Sequence, residues 1–373
     1  PRHSGSALIM RISPVLSLYI GKRFLLDIGL IFAVLLGLIF IGDLVELMRR
    51  AWNKDTVTLW LTIELALLKL PYMAQKVAPF AALFGCMLAF VRLTRSHQLV
   101  VARSAGISVW QFMLPAVAIA FIGGALMVTV FNPLVSATMS RFESLEAEHF
   151  RGRASSLAVS SSGLWLRQAD AGGQSVIHAL RVTGEGTELE NVIIFLYSDQ
   201  DRFTGRIDAK SAVLEPGFWH LKDALVTAPN QTALRHENWR LKTSLTLEQI
   251  QDSFASPDTM SFWELPAFID TLETAGFSAL RHRLHWHSLL AAPLLLFAMV
   301  LLAASFSLRL TRKGGIGLLM AGGVGAGFIL YFLTDVSLAL GMSGGIPVIL
   351  AAWAPALTST LLGLATLLHL EDG

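Results

Sequence analysis

Five cations cluster around the end of the first apolar run and the start of the second: Arg49, Arg50, Lys54, Lys69 and Lys76, with Asp43 and Glu46 just before them. Guanidinium and ammonium groups are the natural partners of phosphate, so together they read as a site for an anionic headgroup at the membrane surface. Taken singly, each also reads as a snorkelling anchor whose charged tip reaches water past an apolar stem. Glu46 stands one helical turn and Asp43 about two turns before Arg49 and Arg50, so the two carboxylates are candidates to pair with the arginines or to sit in a polar cavity.

Other chemistry is sparse. GMSGG (341–345) fits the G-x-S-x-G pattern of a nucleophilic serine, but it lies between two apolar spans and not on a strand-to-helix elbow, so a tight glycine turn is the expectation at Ser343. His282 and His285 are one helical turn apart, yet His287 faces elsewhere and no fourth ligand is near, so the run RHRLHWH reads as an interfacial stretch anchored by Trp286, with no metal site expected. No G-x-x-x-x-G-K-[ST] occurs, so any ATP must be held by another subunit. The sole cysteine, Cys86, lies in an apolar span and excludes an intrachain disulfide.

The elements that must position these groups follow from composition. Of 373 residues 54% are hydrophobic and 15% charged, the profile of a membrane protein. About 20 apolar residues cross a bilayer core. Windows of that kind begin near 24, 77 and 108, and again near 288, 317 and 346, three before and three after a polar middle. The first is too long for a removable signal sequence and is expected to stay as an anchor. Residues 1 to about 10 are set aside. Arg11, Lys22 and Arg23, then Arg92, Arg95 and Arg103, then Arg309, Arg312 and Lys313 mark the cytoplasmic segments by the positive-inside rule, so the middle is extracytoplasmic. SHQLVVARSAGIS (96–108) connects the second and third spans. As a helix it gathers Leu99, Val100 and Ala102 into an apolar patch, projects His97, Gln98 and Arg103, and stops at Gly106. Such a helix is placed to pass a push from a soluble motor into the membrane; its plainer reading is a surface connector. Gly323 and Gly327 have G-x-x-x-G spacing, which suits close packing inside this chain or against a second subunit.

Between about 155 and 246 the hydrophobic period becomes two. Phe203, Ile207, Ala209 and Val213 alternate with Thr204, Arg206, Asp208 and Lys210, as do Trp239, Leu241, Thr243 and Leu245 with Arg240, Lys242 and Ser244. NVIIFLY (191–197) is apolar on both faces and predicts a central strand. Turn signals divide the region into about seven strands, an antiparallel sandwich or jelly roll. SFWE (261–264) is a capping box for a helix with Leu265, Phe268, Ile269 and Leu272 as its stripe and Gly276 as its stop, expected to lie along the outer membrane surface. The fold class is thus integral membrane α-helical, with six transmembrane helices (3+3) and an inserted periplasmic all-β, jelly-roll-like domain. Its expected divisions are 11–131 with a coupling helix at about 96–106, 132–260, 261–287 and 288–373.

YIGKRF, LPYMAQKVAPFAALFG, RSHQLVVARSAGIS, GLW and YFLTDVSLALGMSGGIPVILAAWAPAL resemble the lipopolysaccharide export permeases of the LptF/LptG family, the G-type branch being the nearer, over nearly the whole chain. The resemblance implies a non-catalytic inner-membrane subunit without a cofactor of its own. ATP and Mg would be bound by two copies of a cytoplasmic ATPase (LptB), alongside an F-type permease (LptF) and the bitopic LptC, with no nucleic acid involved. It also implies that residues 96–106 seat on the ATPase and that Arg49, Arg50 and Lys54 meet lipid phosphates. Spans one and five would be lateral gates, and the β-domain would receive acyl chains. Gln98 stands where the family commonly has Glu, and His282 and Leu289 where others often have Tyr and Lys. A membrane enzyme acting on a lipid or peptide, or a mechanotransmitting scaffold, are the competing readings; the first lacks convergent catalytic groups and the second usually has fewer spans.

Overall fold

The structure, a computed structural model, describes residues 14–52, 57–96, 98, 104, 108–151, 157–160, 163–170, 173–183, 188–198, 202–229, 232–243, 246, 255–274, 278–308 and 316–372. It divides into two compact units, one made of residues 1–135 and 287–373 and the other of Ser136–Trp286.

Six helices are long and apolar enough to cross a membrane. They are carried by α1 (Pro14–Ala51), α2 (Leu59–Arg95), α3 (Val109–Leu126) with its continuation, α6 (Leu280–Ser307), α7 (Ile316–Met342) and α8 (Val348–Asp372). Local chemistry sets several ends. Thr58 caps α2 by accepting from the Leu61 amide at 3.3 Å, and Ser108 with Gln111 forms a reciprocal capping box at the start of α3. After α3 the helix loosens into a π turn, Met127–Phe131, before α4 (Asn132–Glu146) and a second π turn, Ala147–Arg151.

The core of the membrane unit joins α1, α2, α3 and α6 through Phe24, Leu83, Phe90, Met113, Ala116, Val300 and Leu301. Lipid offers no hydrophobic drive for helices to associate, so close fit must hold them, and small residues provide it. A Cβ added at Gly124 would lie 2.6 Å from the Pro293 Cα, so α3 and α6 meet there backbone to backbone.

In the insert, β1 (Leu157–Ser160), β2 (Gly163–Asp170), β3 (Gly173–Thr183), β4 (Glu188–Tyr197), β5 (Phe203–Glu215), β6 (Phe218–Thr227) and β7 (Leu234–Lys242) form a seven-stranded antiparallel sheet. Strand order follows chain order, so among the described residues the sheet is an up-and-down meander, without the crossover of a strict jelly roll. It nevertheless curls on itself: Gln168 of β2 donates from Nε2 to the Lys242 carbonyl at 3.2 Å and accepts from the Thr243 hydroxyl at 2.7 Å.

Strict alternation predicts Phe203 and Val213 on the buried face of β5, but Phe203 is exposed and Ala212 is buried in place of Val213. At Phe203 the register against β4 shifts between Leu196 and Tyr197, and at Val213 the reason is a crease. On β3, β4, β5 and β6 the buried series jumps by three, at Ala179/Val182, Leu189/Val192, Ala209/Ala212 and Leu221/Ala224. Register is unchanged on either side of each jump, so the four strands kink side by side. Two of them do so through residues in the left-handed region, Asn191 (φ 52°) and Asp223 (φ 55°). Asn and Asp tolerate that conformation better than other non-glycine residues.

The helix α5 (Leu265–Thr274) begins where Glu264 reaches back to accept from the Ser261 amide at 3.1 Å. Its stripe is not offered to a membrane surface. Phe268, Ile269 and Leu272 pack with the inner face of the sheet, and Leu265 is fully buried. Trp286, expected as an interfacial anchor, packs against the same core. The curled sheet leaves its inner face open, and an amphipathic helix of the same unit fills it; a stripe pattern reports an apolar neighbour without saying whether it is lipid or protein. Gly276 lies outside the described residues.

Candidate functional site

Arg49 and Arg50 occupy the last turn of α1, where cations are favoured by the carbonyl end of the helix dipole. Glu46, one turn back, holds both. Its carboxylate accepts from Arg49 Nε at 2.9 Å and Nη2 at 2.8 Å, and from Arg50 Nε at 2.9 Å. The arginine side chains remain 75% and 54% exposed, so the fork is oriented yet open to its surroundings.

Asp43 meets neither arginine and reaches across to the second helix. It pairs with Lys69 of α2, and both side chains are largely covered. Lys76 lies about 10 Å of helix further along α2 than Lys69 and sits over the ring of Tyr72, 5.4 Å from its centre. The described cations therefore occupy separate depths: an open pair at Arg49 and Arg50, a cross-helix pair at Lys69, and Lys76 beyond. Lys54 lies outside the described residues.

At the other end of α1 and α2 is an ion pair that sequence reasoning overlooked. Asp27, 2% exposed, binds Arg92 across the two helices. Its signal was present, since a lone carboxylate inside FLLDIGL demands a partner. Arg92 both marks the cytoplasmic side by its charge and supplies that partner. Nearby, Gln98 is exposed and its Nε2 donates to the Tyr19 hydroxyl at 3.4 Å. His97, Leu99, Val100, Arg103 and Gly106 lie outside the described residues.

Gly323 and Gly327 face α2. A Cβ at Gly323 would lie 2.7 Å from the Met87 sulfur, and one at Gly327 would collide with Leu83. Phe80 of α2 adds ring contacts with Phe328 at 5.8 Å and Tyr331 at 5.4 Å. Both glycines are thus in an intrachain seam. Ser343 donates to the Leu340 carbonyl at 2.9 Å within a turn whose Gly344 has φ 74°. That is a glycine turn closing α7.

The histidines take separate partners. His282 Nε2 donates to the Ala255 carbonyl at 3.0 Å, while His285 Nδ1 stands 3.5 Å from Asp258. Among the described residues no group of three or more His, Cys, Asp or Glu is gathered in a way that could hold a metal.

The family model of the lipopolysaccharide export system permease LptF/LptG matches residues 18–369. The chain belongs to this family. The permease is 27% identical to the lipopolysaccharide export system permease protein LptG of Escherichia coli K12 over 370 residues, covering 95% of this chain and 98% of that protein. It is 26% identical to the LptG of Haemophilus influenzae over 355 residues, 91% and 94% of the two chains. It is accordingly a multi-pass inner-membrane protein and a transporter component of the lipopolysaccharide export system.

Proposed function

We propose that this permease takes lipopolysaccharide from the outer leaflet of the inner membrane in an ATP-driven cycle and passes it toward the outer membrane by way of its β insert. Arg49 and Arg50 engage the lipid A phosphates, assisted by Lys54, Lys69 and Lys76, with Asp43 and Glu46 setting the positions of the cations. The segment 96–106 seats on a cytoplasmic ATPase, of the LptB kind and present in two copies, which binds ATP and Mg; the chain itself carries no cofactor. An F-type permease (LptF) completes the pathway across the membrane, and LptC joins the complex. Gly323 and Gly327 let α7 lie close on α2 beside the lateral gate. The curled sheet is the receiving surface for acyl chains.

The observation that carries this reading is the exposed arginine pair held in one orientation by Glu46 at the outer end of a membrane helix. Guanidinium groups match phosphate oxygens bidentately, so an exposed pair of them at the end of a membrane helix suits a headgroup phosphate. The test is lipopolysaccharide-stimulated ATP hydrolysis by the complex in proteoliposomes. Arg49→Glu with Arg50→Glu should lower the stimulation by about tenfold or more, the loss of at least one charge-assisted contact. Stimulation equal to that of the unaltered complex would remove the headgroup role.

A further inference from the structure

The helix α1 lies on the outside of the membrane unit, with Leu26, Val34, Leu38, Ile41 and Val45 all exposed. It is nevertheless attached to α2 along nearly its whole length. Phe24 meets Phe90 edge to face with ring centres 4.9 Å apart, and Tyr19 meets Gln98 just past the end of α2. Asp27 meets Arg92, the Ile28 backbone fills the space a side chain at Gly85 would need, and Asp43 meets Lys69. From Phe24 to Asp43 is about 29 Å of helix, close to the thickness of a bilayer core. Contact with α3 is of another kind. A Cβ added at Gly21 would stand 3.6 Å from Pro115 and 3.7 Å from Ile119, ordinary van der Waals distances that leave room for a side chain.

We propose that α1 and α2 travel as one rigid body during transport, with Asp27–Arg92 as the link that makes a displacement at the cytoplasmic end of α2 arrive at Arg49 and Arg50. This rests on the transport reading above. An apolar contact can slide by one residue and find an equivalent neighbour. Asp27 cannot, because leaving Arg92 would strand a carboxylate among Phe90, Cys86 and other buried apolar groups of the core. The backbone approach at Gly85 forbids the same slip on steric grounds: moving α1 by one residue in either direction changes which part of Ile28 or its neighbours must fit a space without a Cβ. Charge and shape thus fix the same register near the cytoplasmic end, and Asp43–Lys69 fixes it again near the other. Asp27 and Arg92 are positioning residues, since neither is placed at the arginine fork.

Spin labels test this in the assembled complex with Cys86→Ala. One pair is Leu38→Cys with Leu67→Cys, on exposed positions of α1 and α2; the other is Leu38→Cys with Leu361→Cys, on α1 and α8. Between nucleotide-free and vanadate-trapped states the first distance should stay fixed while the second changes. A change of about 5 Å, one helical turn, in the α1–α2 distance overturns the proposal. If both distances stay fixed, the transport reading falls with it, so the two failures are distinct. Asp27→Asn should broaden the α1–α2 distances and reduce lipid moved per ATP by about tenfold while hydrolysis continues, and Arg92→Lys should do neither. Unaltered lipid per ATP in Asp27→Asn would equally refute the link.

Discussion

In the membrane unit, Asp27–Arg92 and Asp43–Lys69 join residues 65 and 26 positions apart and hold two helices in register. In the insert, Arg206–Asp208, Arg235–Asp223 and Arg283–Glu273 join residues 2, 12 and 10 apart on exposed faces. The difference comes from the solvent. Charges on the insert can be hydrated, and an exposed pair adds little beyond what water offers each partner. A charge in a membrane helix has no such alternative, so its partner marks a geometrical constraint. The two cores differ in the same direction. Both cores bury large side chains, Phe24 and Phe90 in the membrane unit and Trp219 and Ile194 in the insert, but in the membrane unit, where lipid gives no hydrophobic drive, Gly85 and Gly124 also bring helix backbones together.

The largest expected effect is on the insert. Trp219 is 1% exposed on the inner face of the sheet, and Trp219→Ala should destabilise that unit by about 3–5 kcal/mol. Pulse proteolysis of the full chain in detergent reads this as earlier cleavage within 157–242, with the membrane helices still protected. Loss of both together would break the comparison, because it would make the cores one. Next is Gly124→Leu, which forces a side chain against Pro293 and should cost the membrane unit about 1–3 kcal/mol, seen as a lower midpoint for helix loss in detergent. An unchanged midpoint would mean that backbone contact is not what holds α3 to α6.

The smallest effect sharpens the claim about exposed pairs. Arg235 donates two hydrogen bonds to Asp223, at 2.6 and 2.7 Å, and holds its carboxyl below the usual carboxylate range. A depressed folded value means the contribution is present above the unfolded pKa and lost as pH falls through the folded one, so acid below about pH 4 removes it. Hydrogen-exchange protection factors at β6 and β7, corrected for the slower intrinsic exchange in acid, should therefore fall on acidification in the native chain. In Asp223→Asn this acid response should be flatter. A large difference between the two at pH 7 would show that the pair matters more than its exposure allows.

Much of the fold is legible in the chain because it rests on local patterns. An apolar window, a capping box at Ser261 and an alternating run such as RFTGRIDA can each be recognised without knowing the neighbours. Reading failed where a residue had more than one eligible partner. Asp43, two helical turns before Arg50, pairs with Lys69 on the next helix, which no sequence interval announces. The stripe of α5 was read correctly as apolar and assigned to the wrong covering, since lipid and a curled sheet ask for the same side chains. The crease escaped because alternation was continued through Ala209, where a three-residue step intervenes.

The sequence by itself determined that this chain crosses a membrane six times around a β insert, because the cost of placing polar backbone and side chains in hydrocarbon acts residue by residue along each window. Only the tertiary structure decided which charges meet, where the sheet folds and what covers α5. Those outcomes depend on which surfaces arrive side by side, and ion pairing and close packing vanish within a few ångströms, so residues distant along the chain become partners only once the helices and strands have been assembled.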